Sequence, residues 1–336
     1  MTLYRRTVWG LSTAVTLLVV ATSSAFAHTP PAETKPSTPG ATTTSLAATS
    51  EGARVNSTSG GEAVEHYWTP ERMRDARPVS VDAAGHGESG HERRQEPQAS
   101  GTAGSTPPAA PASGEIRTAL YETSVAGKVF FTDPSDGRDY VCSASALNSA
   151  SKQMVITAGH CVHGGDGGDW MRNWAYVPRY RDGNRPYGTF AAKEFRAFNG
   201  WINNSDLDWD VAMVTTWPRD GDKLVNVTGG NGLSYNYSRE QDVTVNGYPG
   251  DRDNGQRQWY CTGTTERVSV FDGKIQLRCD FGGGSSGGPW MRKFDDASGL
   301  GYTNGVTSTV NSDGWNKSPY FGDSVKQMFD DQGSAT

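Results

Sequence analysis

The 336-residue chain contains six histidines, and only His160 and His163 lie where enough apolar sequence surrounds them to fold. The other four, His28, His66, His86 and His91, fall in a stretch poor in core-forming residues. His160 stands in Thr157-Ala158-Gly159-His160-Cys161, a strand-like run that meets a small-residue turn and then a cysteine. A disulfide at that cysteine would hold the imidazole's backbone still, as a general base requires. A second motif, Gly284-Ser285-Ser286-Gly287-Gly288-Pro289, follows directly on Gly282-Gly283. Glycines let the main chain turn tightly and aim its N–H groups at a reacting atom, the setting for a nucleophilic serine and its oxyanion donors. The third motif is Asp206-Leu207-Asp208-Trp209-Asp210, ahead of the apolar Val211-Ala212-Met213-Val214. Asp210 opens that strand, and a buried carboxylate there needs a hydrogen-bonded partner such as an imidazole. Asp206 and Asp208 are expected to be acidic loop residues in water, and His163 an exposed residue of the Gly-rich loop. Together His160, Asp210 and Ser286 could perform acyl transfer, with serine as nucleophile, imidazole as base and carboxylate as its orienting group. The base must be neutral, so activity is expected to fall below neutral pH.

Chain order narrows the chemistry. Gly284 to Gly288 also satisfies G-x-S-x-G, the nucleophile elbow of α/β-hydrolases, in which the histidine follows the serine. No histidine follows Ser286, so the order must be His…Asp…Ser or Asp…His…Ser. A zinc hydrolase built on His160-Cys161-Val162-His163 lacks a carboxylate at helical metal spacing. The acidic loop Gly164 to Asp169 lacks the twelve-residue calcium pattern and is expected to be solvated. No metal and no cofactor is expected.

Thr-Ala-Gly-His-Cys at 157–161, Asp-Val-Ala at 210–212 and Gly-x-Ser-Gly-Gly-Pro at 284–289, in that order, resemble the chymotrypsin-like (trypsin-fold) serine proteases over roughly residues 119–336. Gly247-Tyr248-Pro249-Gly250-Asp251 is similar to the bacterial branch that includes the glutamyl endopeptidases. The resemblance implies two six-stranded antiparallel β-barrels with the site between them and a short C-terminal helix. It also implies that the N–H groups of Gly284 and Ser286 form the oxyanion hole.

The chain departs from the family at two positions. Ser285 stands where animal members carry the aspartate that pairs with a newly cut amino terminus. Removal of the N-terminal segment is therefore expected to unmask the enzyme by another route. Thr307, in Gly305-Val306-Thr307-Ser308, stands where glutamyl endopeptidases place a histidine, leaving glutamate specificity without that group. Asp280 lies six residues before Ser286, the offset of the acid that selects Arg or Lys in trypsin-like members. Asp280, Thr307 and Ser308 are thus the expected substrate-pocket residues.

The elements that must hold these groups are short strands. Lys128–Phe131, Met154–Thr157, Val211–Val214, Val243–Val245 and Lys274–Leu277 are rich in β-branched or aromatic residues and are separated by Gly, Asp, Asn and Pro clusters. Asp272-Gly273 is a hairpin signal. Only Val325, Met328 and Phe329 show a good helical spacing. Many strands without intervening helices predict an all-β sandwich or barrel pair. Four cysteines allow three connectivities. The local one, Cys142–Cys161 and Cys261–Cys279, closes two similar short loops, each contributing about 3 kcal/mol by restricting the unfolded chain.

Of 34 aromatic residues, only Tyr67 and Trp68 lie in 28–118, while 29 lie in 119–336. The folded domain is therefore expected to be 119–336. Residues 28–118 are expected to be a disordered, low-complexity pro-segment, with the island Tyr67 to Arg74 docking on the domain through Trp68 and a helix capped by Thr69. Residues 1–27, with Arg5-Arg6, an apolar run and Ala25-Phe26-Ala27, predict a secretory signal peptide, hence an extracellular protein. Arg117-Thr118 is one expected maturation cut. A net charge of −6 lacks the concentrated basic surface that nucleic acid requires. Protein or peptide substrates, no membrane after signal removal and a monomer are expected. The rival expectation is a catalytically silent, protease-shaped binding module, which usually has lost one of the three catalytic groups.

Overall fold

The structure is a computed structural model that describes residues 38–79, 101–112, 122–269 and 272–335. The signal peptide and the cut at Arg117-Thr118 lie outside the described residues. The architecture below is that of the compact unit 37–336.

The N-terminal segment contributes β1 (Thr42–Leu46), α1 (Thr58–Tyr67), α2 (Pro70–Asp75), β2 (Arg77–Pro78) and β3 (Gly104–Ser105). The docking island behaves as expected. Thr69 Oγ1 accepts the Arg72 N–H as N-cap of α2, with Pro70 in the first turn. Trp68 is 1% exposed, and its Nε1–H donates to the Asn173 carbonyl at 2.6 Å. The compositional expectation of disorder is corrected for residues 38–79 and 101–112. β1 pairs antiparallel with β8 from Thr42↔Phe198 to Leu46↔Glu194, and β3 pairs with β10. The physical reason is that a sheet edge recruits main chain, so a Thr-rich stretch with little to bury can still be ordered by ladder bonds. Burial of Val55, Val64, Trp68 and Met73 in the barrel's core adds about 1.5–3 kcal/mol for each large side chain.

The first barrel is β4 (Ala126–Asp133), β5 (Arg138–Leu147), β6 (Met154–Thr157), β7 (Arg172–Pro178), β8 (Phe190–Phe198) and β9 (Ala212–Thr216), with α3 (Asn199–Asn204) between the last two. The antiparallel order β8-β7-β4-β5-β6-β9 closes through β8–β9. The second half begins with α4 (Leu224–Thr228) and β10 (Gly232–Tyr235). It continues through β11 (Asp242–Gly247), β12 (Trp259–Thr264), β13 (Glu266–Ser269) and β14 (Asp272–Arg278). β15 (Pro289–Asp295), β16 (Leu300–Val306), β17 (Thr309–Val310) and β18 (Trp315–Ser318) complete it. These strands form two sheets, β12-β11-β15-β16-β10-β3 and β13-β14-β18-β17, and β10 runs parallel to β16. Asp272-Gly273 marks the right hairpin but opens β14 itself, since Ser269 pairs with Asp272. The C-terminal α5 (Asp323–Gly333) buries Val325, Met328 and Phe329 against Trp201, Trp209 and Met213. The disulfides are Cys142–Cys161 and Cys261–Cys279.

Candidate active site

His160 sits in a single helical turn, Gly159–Cys161, that follows β6 directly. The Cys142–Cys161 bond ties this turn to β5. Asp210 follows another such turn, Leu207–Trp209, and is fully buried two residues before β9. β6 and β9 are hydrogen-bonded neighbours, with Thr157 opposite Ala212, which brings residues 160 and 210 together. Asp210 Oδ2 lies 2.8 Å from His160 Nδ1, and its Oδ1 accepts the His160 main-chain N–H at 2.8 Å. Ser308 Oγ–H donates to the same Oδ2 at 2.6 Å. A carboxylate only accepts, so Nδ1 carries a proton, and in the neutral ring Nε2 is then the nitrogen with the lone pair. Nε2 is buried and has no hydrogen-bond partner among the described residues.

The Ser286 loop is held from both halves of the molecule. Its carbonyl accepts the Ser143 N–H at 2.7 Å, one residue past Cys142. The Gly287 N–H donates to the Thr307 carbonyl and the Thr307 N–H to the Gly288 carbonyl. Gly287 has φ +79°, and a Cβ there would collide with Thr157 Oγ1 and the Ser143 carbonyl, so only glycine lets the loop approach β5 and β6 this closely. Ser286 is 5% exposed. No hydrogen bond joins its Oγ to His160 Nε2. The Gly284 N–H, an expected oxyanion donor, is engaged by the Val79 carbonyl at 2.8 Å.

Beside Ser286 is a shallow recess with room for about one water molecule, whose walls include Phe281, Gly283, Thr307, Ser308, Thr309 and Asn316. Thr307 and Ser308 both line this recess. Asp280 is not among the lining residues: its side chain is 75% exposed and lies 3.8 Å from Arg252. Asn316, which no sequence signal singled out, braces the wall by bonding both the N–H and the carbonyl of Phe281. Thr309 Oγ1 is buried and unpartnered among the described residues.

Two expectations are corrected. His163 is buried, not exposed. The Gly-rich loop folds back on itself through Gly164 N–H to the Asp169 carbonyl, and the ring packs edge-on against Trp170. Its Nδ1 accepts the Gly165 N–H, and burial holds its imidazole below the usual range despite nearby Asp169. Asp208 is not in water either. It is buried against the Lys274 ammonium at 2.9 Å, which satisfies both charges. The sulfurs nearest His160, those of Cys142 and Cys161, are joined to each other and offer no thiolate to a metal.

The trypsin-like peptidase domain family matches residues 142–297. The chain is 26% identical over 170 residues to the extracellular metalloprotease of Bacillus subtilis, covering 48% of this chain and 50% of that protein. It is 29% identical over 160 residues to the glutamyl endopeptidase of Bacillus licheniformis, covering 45% and 48%. The chain thus spans about half the length of the curated relatives it matches. Among solved structures it is similar to a thermostable serine protease, AL20, from an extremophilic microorganism. The identity there is 31% and the TM-score 0.60, over 64% of this chain and 99% of that one. Sharing that enzyme's fold across nearly its whole length, the chain belongs to the trypsin-like serine protease family, alongside bacterial members.

Proposed function

We propose that the protein is a secreted serine endopeptidase that cleaves protein or peptide substrates through an acyl-enzyme on Ser286. His160 Nε2 takes the hydroxyl proton as Ser286 Oγ attacks the scissile carbonyl, then delivers it to the leaving amine. Asp210 holds the useful tautomer and stabilises the imidazolium. The N–H groups of Gly284 and Ser286 bind the developing oxyanion, each such donor lowering the barrier by about 3–4 kcal/mol. Water then attacks the ester by the same proton relay. The observation that carries this reading is the Asp210 carboxylate, fully buried and bonded to the ring and the backbone of one histidine, with Ser308 as its further donor. A buried carboxylate costs stability unless its partners repay the lost hydration, and here they leave an imidazole with its basic nitrogen unengaged.

The recess beside Ser286 favours an uncharged substrate side chain. Its lining includes hydroxyls, an amide and a phenyl ring, with no charged side chain among the described residues. Arg or Lys selection by Asp280 has no support from this placement. Apolar export through residues 1–27 and removal of the N-terminal segment complete the proposal. No helix among the described residues is long and apolar enough to cross a membrane.

Labelling of the mature protein by a serine-directed fluorophosphonate tests the reading. Stoichiometric adduct on Ser286, lost in Ser286→Ala and in His160→Ala, is expected. A folded mature protein that takes up no label would instead be a silent binding module.

A further inference from the structure

β2 lies parallel on β5, with Arg77 opposite Tyr140 and Pro78 opposite Val141. The Val79 N–H donates to the Val141 carbonyl at 3.1 Å, and the Val79 carbonyl accepts the Gly284 N–H at 2.8 Å. Gly284 has φ +89°, a left-handed conformation that glycine adopts without strain, and this aims its N–H out of the loop. The Pro78 ring rests over Gly250 and Gly284, so that a Cβ added to Gly250 would sit 2.5 Å from Pro78 Cγ. The edge of β5 and the Gly284 N–H thus make a slot for an extended peptide, and the chain's own Arg77–Val79 fills it.

The occupied donor is the one that the acyl-transfer reading needs for the substrate oxygen. A main-chain carbonyl is also what a substrate presents there. The slot is next to the reacting groups: Val141 precedes Cys142, and Ser143 Oγ bonds the Gly284 carbonyl at 2.8 Å. The segment is anchored by residues that precede 77–79. Trp68 and Met73 are buried in the barrel, Tyr67 Oη donates to Asp139 Oδ1 at 2.9 Å, and Arg72 pairs with Asp139 at 3.0 Å.

We propose that residues 77–79, anchored by α1 and α2, are a built-in inhibitor that occupies the Gly284 oxyanion donor with the Val79 carbonyl. The assignment rests on the acyl-transfer reading, and it names the contact that must be undone for activity. Release requires only that a short, largely exposed strand leave one edge of β5. The catalytic histidine and aspartate are already bonded to each other while the segment is docked, so nothing in that pair has to be rebuilt.

The test compares the full chain with its Pro78→Asp variant, which places a solvated charge over Gly250 and Gly284. Circular dichroism and Tm establish that both are folded. The variant is expected to react with a fluorophosphonate and to hydrolyse chromogenic peptides about tenfold faster or more, in proportion to the fraction of undocked molecules. A second variant, Val79→Pro, which removes the N–H bonded to the Val141 carbonyl, is expected to show the same rise. Equal rates in the full chain and both variants would overturn the inhibitor while leaving serine chemistry intact. Absence of labelling in both, identical to Ser286→Ala, would overturn the acyl-transfer reading and the inhibitor with it.

Discussion

Ser308 Oγ donates to Asp210 Oδ2 at 2.6 Å, reaching from the second half of the molecule to a carboxylate held in the first. The same residue lines the recess beside Ser286, so one side chain couples the aspartate's position to that recess. Ser308→Ala removes a hydrogen bond to a charged group, which is ordinarily worth about 1.5–3 kcal/mol. We expect kcat to fall by about tenfold to a hundredfold with KM changed less than threefold, measured by steady-state kinetics. Loss confined to KM would place Ser308 in substrate binding alone.

The Cys142–Cys161 bond joins the strand that holds the Ser286 carbonyl to the turn that carries His160. Replacing both cysteines by serine is expected to cost about 3 kcal/mol of stability, read by denaturant unfolding. It is also expected to lower kcat more than the equivalent change at Cys261 and Cys279, which do not join the His160 turn to another strand. Equal effects of the two pairs on kcat would show that the first bond is only a staple.

Lys128 is buried in β4 with its ammonium on the Gly255 carbonyl and near the rings of Phe130 and Tyr180. Burial pushes it down from 10.5 to about 7. Between those values the unfolded chain binds more protons than the folded one, so stability rises with pH. The penalty for burying the charge is full below pH 7. Lys128→Met is therefore expected to raise Tm by about 5 °C more at pH 6 than at pH 10. Equal gains at both, by scanning calorimetry, would show that the lysine keeps its proton throughout.

Substrate choice follows from the recess. In a panel of peptides differing only at the residue before the cut, Gln, Asn, Thr or Leu is expected to exceed Arg and Glu in kcat/KM by about tenfold or more. Charged residues lose because no lining group repays their dehydration. Arg as the best substrate would return Asp280 to the pocket.

The residues of the proposed site were legible because acyl-transfer chemistry would leave local marks. His160 follows a strand, Asp210 precedes one and Ser286 needs glycines around it, and each mark survives in a dozen residues. The strands at Lys128–Phe131, Met154–Thr157 and Val243–Val245 were legible for a similar reason: apolar and β-branched residues cluster where both faces are buried. What could not be read was long-range pairing. Asp208 looks like a solvated acid until Lys274, 66 positions on, is folded against it. Asp280 stands at a suggestive offset, but its left-handed φ of +55° accompanies a side chain turned out to solvent. The order in β1 was invisible because it lies in main-chain bonds to β8, to which a Thr-rich composition gives no clue.

The central claim is an acyl-enzyme on Ser286, and rapid-mixing kinetics with an activated ester substrate test it most directly. A burst of product equal to the enzyme concentration is expected, with a mass adduct that maps to Ser286 and is absent in Ser286→Ala. Turnover without a burst or adduct, and surviving in Ser286→Ala, would contradict it.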